Sequence, residues 1–235
     1  SPVQRHRHGT RSGNTLRAAV LGANDGLVSN VSLVMGMAGA AAGDHAVLLA
    51  GLAGLVAGAC SMAMGEWLSV NSSREFYQAQ ITERAERFAV APEDGRRHIA
   101  DLYRDKGLQP AAAEHLAGHV AEAPRAALDM LVREELGIDP GELGGSAWSA
   151  AVSSFCMFAC GAWFPVAPYL FVGGTTALVA SACTTLLGLA LIGLGTALFT
   201  GRGVLFSIAR QAAITMAAAA ITYAVGHLLG IALGA

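Results

Sequence analysis

Residues 17–40 read RAAVLGANDGLVSNVSLVMGMAGA. The run is about as long as a bilayer-crossing helix requires, roughly 20 mostly apolar residues. Yet Asn24 and Asp25 stand side by side within it. A carboxylate at the centre of a membrane helix costs at least about 2.5–3.5 kcal/mol, so some partner must offset it. Wound as an α-helix at about 100° per residue, Gly22, Asp25, Ser29, Ser32, Gly36 and Gly39 share one face. Leu, Val and Ala fill the opposite side. Small and hydroxylated residues on one stripe let backbones approach and supply polar partners. This patterning predicts that Asp25 faces protein or a water-filled path rather than lipid.

Working outward, five segments have the length and apolarity of spanning helices: about 16–41, 46–71, 147–170, 175–199 and 211–234. The chain is 54% hydrophobic and 14% charged, with a mean hydropathy of +0.49. Soluble domains carry about 25% charged residues. The charge is also localised: 23 of the 32 Asp, Glu, Lys and Arg side chains lie between Arg74 and Glu142. That stretch shows helical periodicity in IADLYRDKGL and AALDMLVREELGI, with breaks at AVAPEDG, KGLQP, EAP and GIDPGELGG. No Pro or Gly interrupts 68–80, so the second span is expected to run on into the polar stretch. The predicted fold class is all-α: a polytopic membrane protein of five transmembrane helices, with a cytoplasmic helical module inserted between helices 2 and 3. The expected parts are a basic cytoplasmic tail over 1–15, spans 1 and 2 over 16–72, the module over 73–145, and spans 3 to 5 over 146–235.

Basic residues near membrane ends set orientation. Arg5, Arg7, Arg11 and Arg17 precede the first span, and Arg202 and Arg210 lie in the expected loop TGRGVLFSIARQ. The loops around 43–45 and 172–174 carry neither Lys nor Arg. Tail, module and the 200–210 loop are therefore expected in the cytoplasm and the C-terminus outside, which an odd number of spans satisfies. One lysine, Lys106, against many Arg, Ala and Gly suggests a GC-rich bacterial source and hence the cytoplasmic membrane. The acidic module lacks the basic face that nucleic acid requires. Cys60, Cys156, Cys160 and Cys183 all fall in apolar runs, which argues against a secreted disulfide framework.

In the second span Gly54, Gly58, Met62 and Glu66 recur every four residues. Close-packing glycines are thus combined with a thioether and a second intramembrane carboxylate, and such carboxylates usually mark ion or proton pathways. Oxygen ligands alone suit Mg or Ca, whereas an added soft sulfur favours a later divalent metal such as Fe(II).

The stretch RAAVLGANDGLVSNVSLVMGMAGA followed by GLAGLVAGACSMAMGEWLSV resembles the vacuolar iron transporter family, through NDG in the first span and SMA-x-GE in the second. YRDKGL, EELGI and FPVAPYLF fit as well, and the resemblance runs from about Leu16 to the end. It implies a homodimer in a lipid bilayer that exports Fe(II), and often Mn(II), from the cytoplasm in exchange for protons. In that family the first spans of both subunits line a pore on the dimer axis. Asp25 and Met62 stand at the positions of its pore ligands, and Glu66 matches the glutamate closing the second motif. The resemblance also implies a metal-binding module built on Glu-x-x-Glu pairs and a Met/Glu cluster. Glu83 and Glu86 keep the first pair. PEDGRRH places Gly95 and His98 where glutamates are expected, and DMLVREELG offers Met130, Glu134 and Glu135. A module weakened in metal binding is expected. No tightly bound cofactor is implied; the metal, Fe(II) or else Mn(II), Zn(II), Co(II) or Ni(II), is cargo.

His115 and His119 in AAAEHLAGHVAE are four apart and share a helix face, with Glu122 a further turn along. Neutral imidazoles bind Fe, Zn, Ni or Cu, although two solvated surface histidines would give the same pattern. Cys156 and Cys160 have the same spacing and are expected to serve small-residue packing. No glycine-rich phosphate loop, G-x-S-x-G or HExxH is present, and Ser29 and Ser32 lack a histidine base, so enzymatic function is not expected. The alternative is a membrane-anchored metal sensor or storage protein, which would have no need of Asp25.

Overall fold

The structure is a computed structural model and describes residues 2–121, 146–201 and 203–233. Among these it is all-helical, with no strand. The helices are α1 (Pro2–Gly39), α2 (Asp44–Val90), α3 (Pro92–Asp105), α4 (Pro110–Ala121), α5 (Ala147–Val166), α6 (Gly174–Thr200) and α7 (Val204–Leu233). Local chemistry sets their ends. α3 opens on Pro92 with Glu93 and Asp94 in its first turn, where a missing N–H costs nothing and negative charge meets the positive end of the helix dipole. α5 ends where Pro165 and Pro168 divert the chain into a 3-10 turn, Ala167–Leu170, since proline cannot donate to the helical ladder. α6 closes on Gly201 with φ +66°, a left-handed position suited to glycine. The Asp44 carboxylate accepts a hydrogen bond from the Gly174 N–H at 2.7 Å, satisfying one of the unpaired donors that begin α6.

The chain forms two compact units, residues 1–66 with 148–235 and residues 67–147. In the first, α1 packs against α6 and α7 and buries Leu27, Val31 and Val34 almost completely. Two crossings are backbone on backbone. A Cβ at Gly26 would strike the Phe158 carbonyl of α5, and one at Gly161 would strike the Ala23 carbonyl of α1. Gly226 of α7 meets the Gly36 carbonyl in the same way. Only a missing side chain permits such approach. Asn30, 2% exposed, donates its side-chain amide to the carbonyls of Gly51 in α2 (3.1 Å) and Ala162 in α5 (2.8 Å).

Four helices among the described residues are long and apolar enough to cross a membrane: Asp44–Arg87, Ala147–Leu170, Gly174–Leu198 and Val204–Ala232. Only 17 to 39% of their most apolar windows is buried within the chain. Leu49, Val56, Leu187, Leu198, Leu228 and Ile231 are all outward-facing and exposed. An apolar exterior of this extent needs a hydrocarbon solvent, and the protein is an integral membrane protein. The expected first span is not among the four. Asn24, Asp25, Ser29, Asn30, Ser32 and its glycines dilute its hydropathy, and its central position in the unit reduces the need for an apolar surface all round.

The second unit contains α3 and α4, packed through Ile99, Ala100 and Ala117 with Tyr103 and Val120 around them. Arg104 joins the two helices, donating to Asp101 at 2.8 Å and to Glu114 at 2.5 Å. α2 is unbroken to Val90.

Some sequence expectations change. The last helix starts at Val204, not 211, because nothing after Gly203 breaks the helix; the expected loop over 200–210 is mostly helical. Cys156 and Cys160 are exposed, and Gly161 and Ala162 make the tight contacts of α5 instead. The stripe on α1 also divides. Gly36 and Gly39 lie against Thr222 and Tyr223 of α7, whereas Asp25 and Ser29 are exposed. Helices that cross at an angle leave a straight stripe after a few turns.

Candidate metal site

Asn24 and Asp25, adjacent in sequence, have different surroundings. The Asn24 side-chain carbonyl accepts a hydrogen bond from the Gln211 amide of α7. Asp25, about 100° further round the helix, opens into a cleft of about 340 Å³. Its walls are Asp25, Ser29, Asn30 and Leu33 of α1, Gly54, Gly58, Ser61 and Met62 of α2, and Phe158 of α5. Glycine shapes this space: a Cβ at Gly54 would stand 2.6 Å from the Leu33 side chain and 2.8 Å from Asn30 Oδ1. Asp25 is held from within its own helix. Ser29 Oγ lies 2.6 Å from the Asp25 backbone oxygen and 3.2 Å from Oδ1, donating to them. Among the described residues no basic side chain pairs with Asp25.

The structure therefore brings Asp25 and Met62 to one cleft, with two hydroxyls and a buried amide beside them. Met62 is half-buried, and its Cε would be 3.4 Å from a Cβ placed on Gly22. Glu66, one turn further along α2, is exposed and does not line the cleft. A carboxylate and a thioether together suit a later divalent metal ion. Within one chain, however, no three of His, Cys, Asp and Glu gather closely enough to hold a metal among the described residues.

In the second unit a larger groove of about 1260 Å³ is lined by α2 and α3, including Glu83, Glu86, Asp94, Gly95 and His98. Both halves of the expected Glu-x-x-Glu arrangement thus face one groove. Glu83 is paired with Arg87 at 2.6 Å, and Arg84 and Arg87 stand on the same walls. His115 and His119 are exposed on α4, with ring centroids 4.6 Å apart. Met130, Glu134 and Glu135 lie outside the described residues.

Asn30 and Gln211 were not singled out in the sequence. Asn30 carries a readable signal, a second amide in an apolar helix, but its partners lie 21 and 132 residues away. Gln211 sits at the edge of an apolar run and carries no signal of its own.

The profile of the VIT family matches residues 16–227, and that range contains the whole cleft. The chain belongs to the VIT family. It is 32% identical over 225 residues to vacuolar iron transporter 1 of Oryza sativa subsp. japonica, covering 93% of this chain and 88% of that protein. It is 29% identical over 222 residues to vacuolar iron transporter 1 of Arabidopsis thaliana, covering 93% and 87%. With vacuolar iron transporter homolog 1 of Oryza sativa subsp. japonica the identity is 38% over 216 residues, covering 92% and 74%. These VIT family relatives are named as transporters or transporter homologues, in keeping with a non-enzymatic chain.

Proposed function

We propose that this VIT family protein transports divalent metal, with Fe(II) as principal cargo and Mn(II), Co(II), Ni(II) or Zn(II) as further candidates. Metal leaves the cytoplasm in exchange for protons, through a pore between two copies of the chain. The observation that carries this reading is Asp25, exposed beside Met62 in a cleft of the membrane unit. The likeness to vacuolar iron transporters supports iron as cargo.

An Asp25 left facing lipid would cost at least about 2.5–3.5 kcal/mol per chain. Apposing two copies along this face takes Asp25 out of lipid and doubles the donor set to two carboxylates and two thioethers, whose charge a bound cation offsets. α1 then serves as the fifth span, its polar face turned to the axis. A divalent cation neutralises the paired carboxylates. Protons arriving from the far side take the place of the released cation at the two carboxylates, which couples export to exchange. The sulfurs bias selection away from Mg(II) and Ca(II). Glu66, a turn beyond Met62, marks the approach, and the groove carrying Glu83, Glu86 and His98 serves as a weak loading site on the cytoplasmic side, with Met130, Glu134 and Glu135 as further donors.

A sensor or storage protein would leave the Asp25 cleft without a role. Metal-dependent proton flux in proteoliposomes separates the readings: Fe(II)-driven counterflow of protons supports transport, and metal binding with no flux refutes it.

A further inference from the structure

We infer that His115 and His119 on α4 form a separate bis-imidazole site for a borderline divalent metal ion of the Cu(II), Ni(II) or Zn(II) class. The rings face one another with centroids 4.6 Å apart and planes inclined by 31°. Two nitrogens on one tetrahedral or square-planar ion stand roughly 3 Å apart, given metal–nitrogen bonds of about 2.0–2.1 Å. The centroid separation is compatible with that span, and rotation of the two exposed side chains turns their in-plane lone pairs toward a common ion.

A second observation points the same way. His119 Nδ1 lies 3.3 Å from the His115 backbone carbonyl. A proton placed there makes Nδ1 the donor and leaves Nε2 as the free lone pair. Metal-bound histidines commonly have this arrangement, the second ring nitrogen donating to a carbonyl or carboxylate. Among the described residues the neighbouring carboxylate, Glu114, does not enter the donor set, because it is engaged by Arg104 at 2.5 Å; Glu122 lies outside the described residues. Two neutral nitrogens with water completing the shell favour Cu(II), Ni(II) and Zn(II) over Mn(II), Mg(II) and Ca(II). The site is thus chemically distinct from the carboxylate-lined groove of α2 and α3, and it stands whether or not the chain transports metal.

The test uses the full chain in detergent with His6→Ala and His8→Ala, which remove the paired histidines of the N-terminal sequence. One equivalent of Cu(II) is added and its electron paramagnetic resonance spectrum recorded. The expected spectrum shows splitting from two imidazole nitrogens, reduced to one by either His115→Ala or His119→Ala at unchanged thermal stability. Asp25→Asn is expected to leave the spectrum unaltered. Absence of two-nitrogen splitting, or its survival in both single variants, would overturn the assignment.

Discussion

The Asn30 side chain donates to the carbonyl of Ala162 at 2.8 Å, joining residues 132 positions apart. Its second N–H reaches Gly51 at 3.1 Å, so one amide ties α1 to α2 and α5. Asn30→Leu removes both bonds. Each such bond contributes about 1 kcal/mol in water and about 0.6 kcal/mol on average within membranes. A loss of roughly 1–2 kcal/mol is expected, read as a lowered unfolding midpoint in detergent. A variant with the wild-type midpoint would show that the three-helix tie is dispensable.

Gly26→Ala and Gly161→Ala should be more damaging than most alanine substitutions in the membrane unit. In each the new methyl meets a backbone carbonyl, of Phe158 or of Ala23, and neither can move as a side-chain tip could. Overpacking costs about 1–3 kcal/mol even where side chains adjust. Reduced yield of folded protein by size-exclusion chromatography is expected for both, while Gly65→Ala, in open space, should be neutral.

Met62→Leu keeps most of the side-chain volume, and swaps of this kind usually cost under about 1.5 kcal/mol. The protein should remain folded while its uptake of Fe(II), Co(II) and Ni(II) falls relative to Mg(II) or Ca(II). Competition between metals in the same vesicles checks this. An unchanged profile would reduce Met62 to a packing residue.

The groove of the second unit should bind metal weakly. Gly95 brings no ligand, His98 a single nitrogen, and Glu83 is paired with Arg87 at 2.6 Å. Gly95→Glu should therefore raise the number or affinity of bound ions in calorimetric titration. Several tight ions in the wild type would contradict this expectation.

Most of the helices were legible because their composition is extreme, with long apolar runs punctuated near 43–45 and 172–174; the start of the last helix was not, because Arg202 and Arg210 suggested a loop where the chain is already helical from Val204. That Asp25 and Met62 belong together came from the resemblance, while periodicity alone placed each on a glycine-bearing stripe of its own helix, with Gly22 in one case and with Gly54 and Gly58 in the other. Less could be read where chemistry depends on crossing angle. Gly36 and Gly39 share a face with Asp25 in projection, yet they pack on α7 while Asp25 opens to the cleft. The Asn24–Gln211 bond spans 187 residues, and no local pattern announces it. Cys156 and Cys160 show the same limit, because helical spacing does not reveal which face meets a neighbour.

Asp25 is exposed, with Ser29 of its own helix as its hydrogen-bond partner, and metal transport is proposed to run through it. Asp25→Asn keeps the size and removes the charge, so the fold should survive. The decisive measurement is Fe(II)-dependent proton flux in proteoliposomes holding equal amounts of folded wild type and Asp25→Asn. Coupled flux is expected in the wild type and its loss in the variant. Flux at the wild-type rate in Asp25→Asn would contradict it.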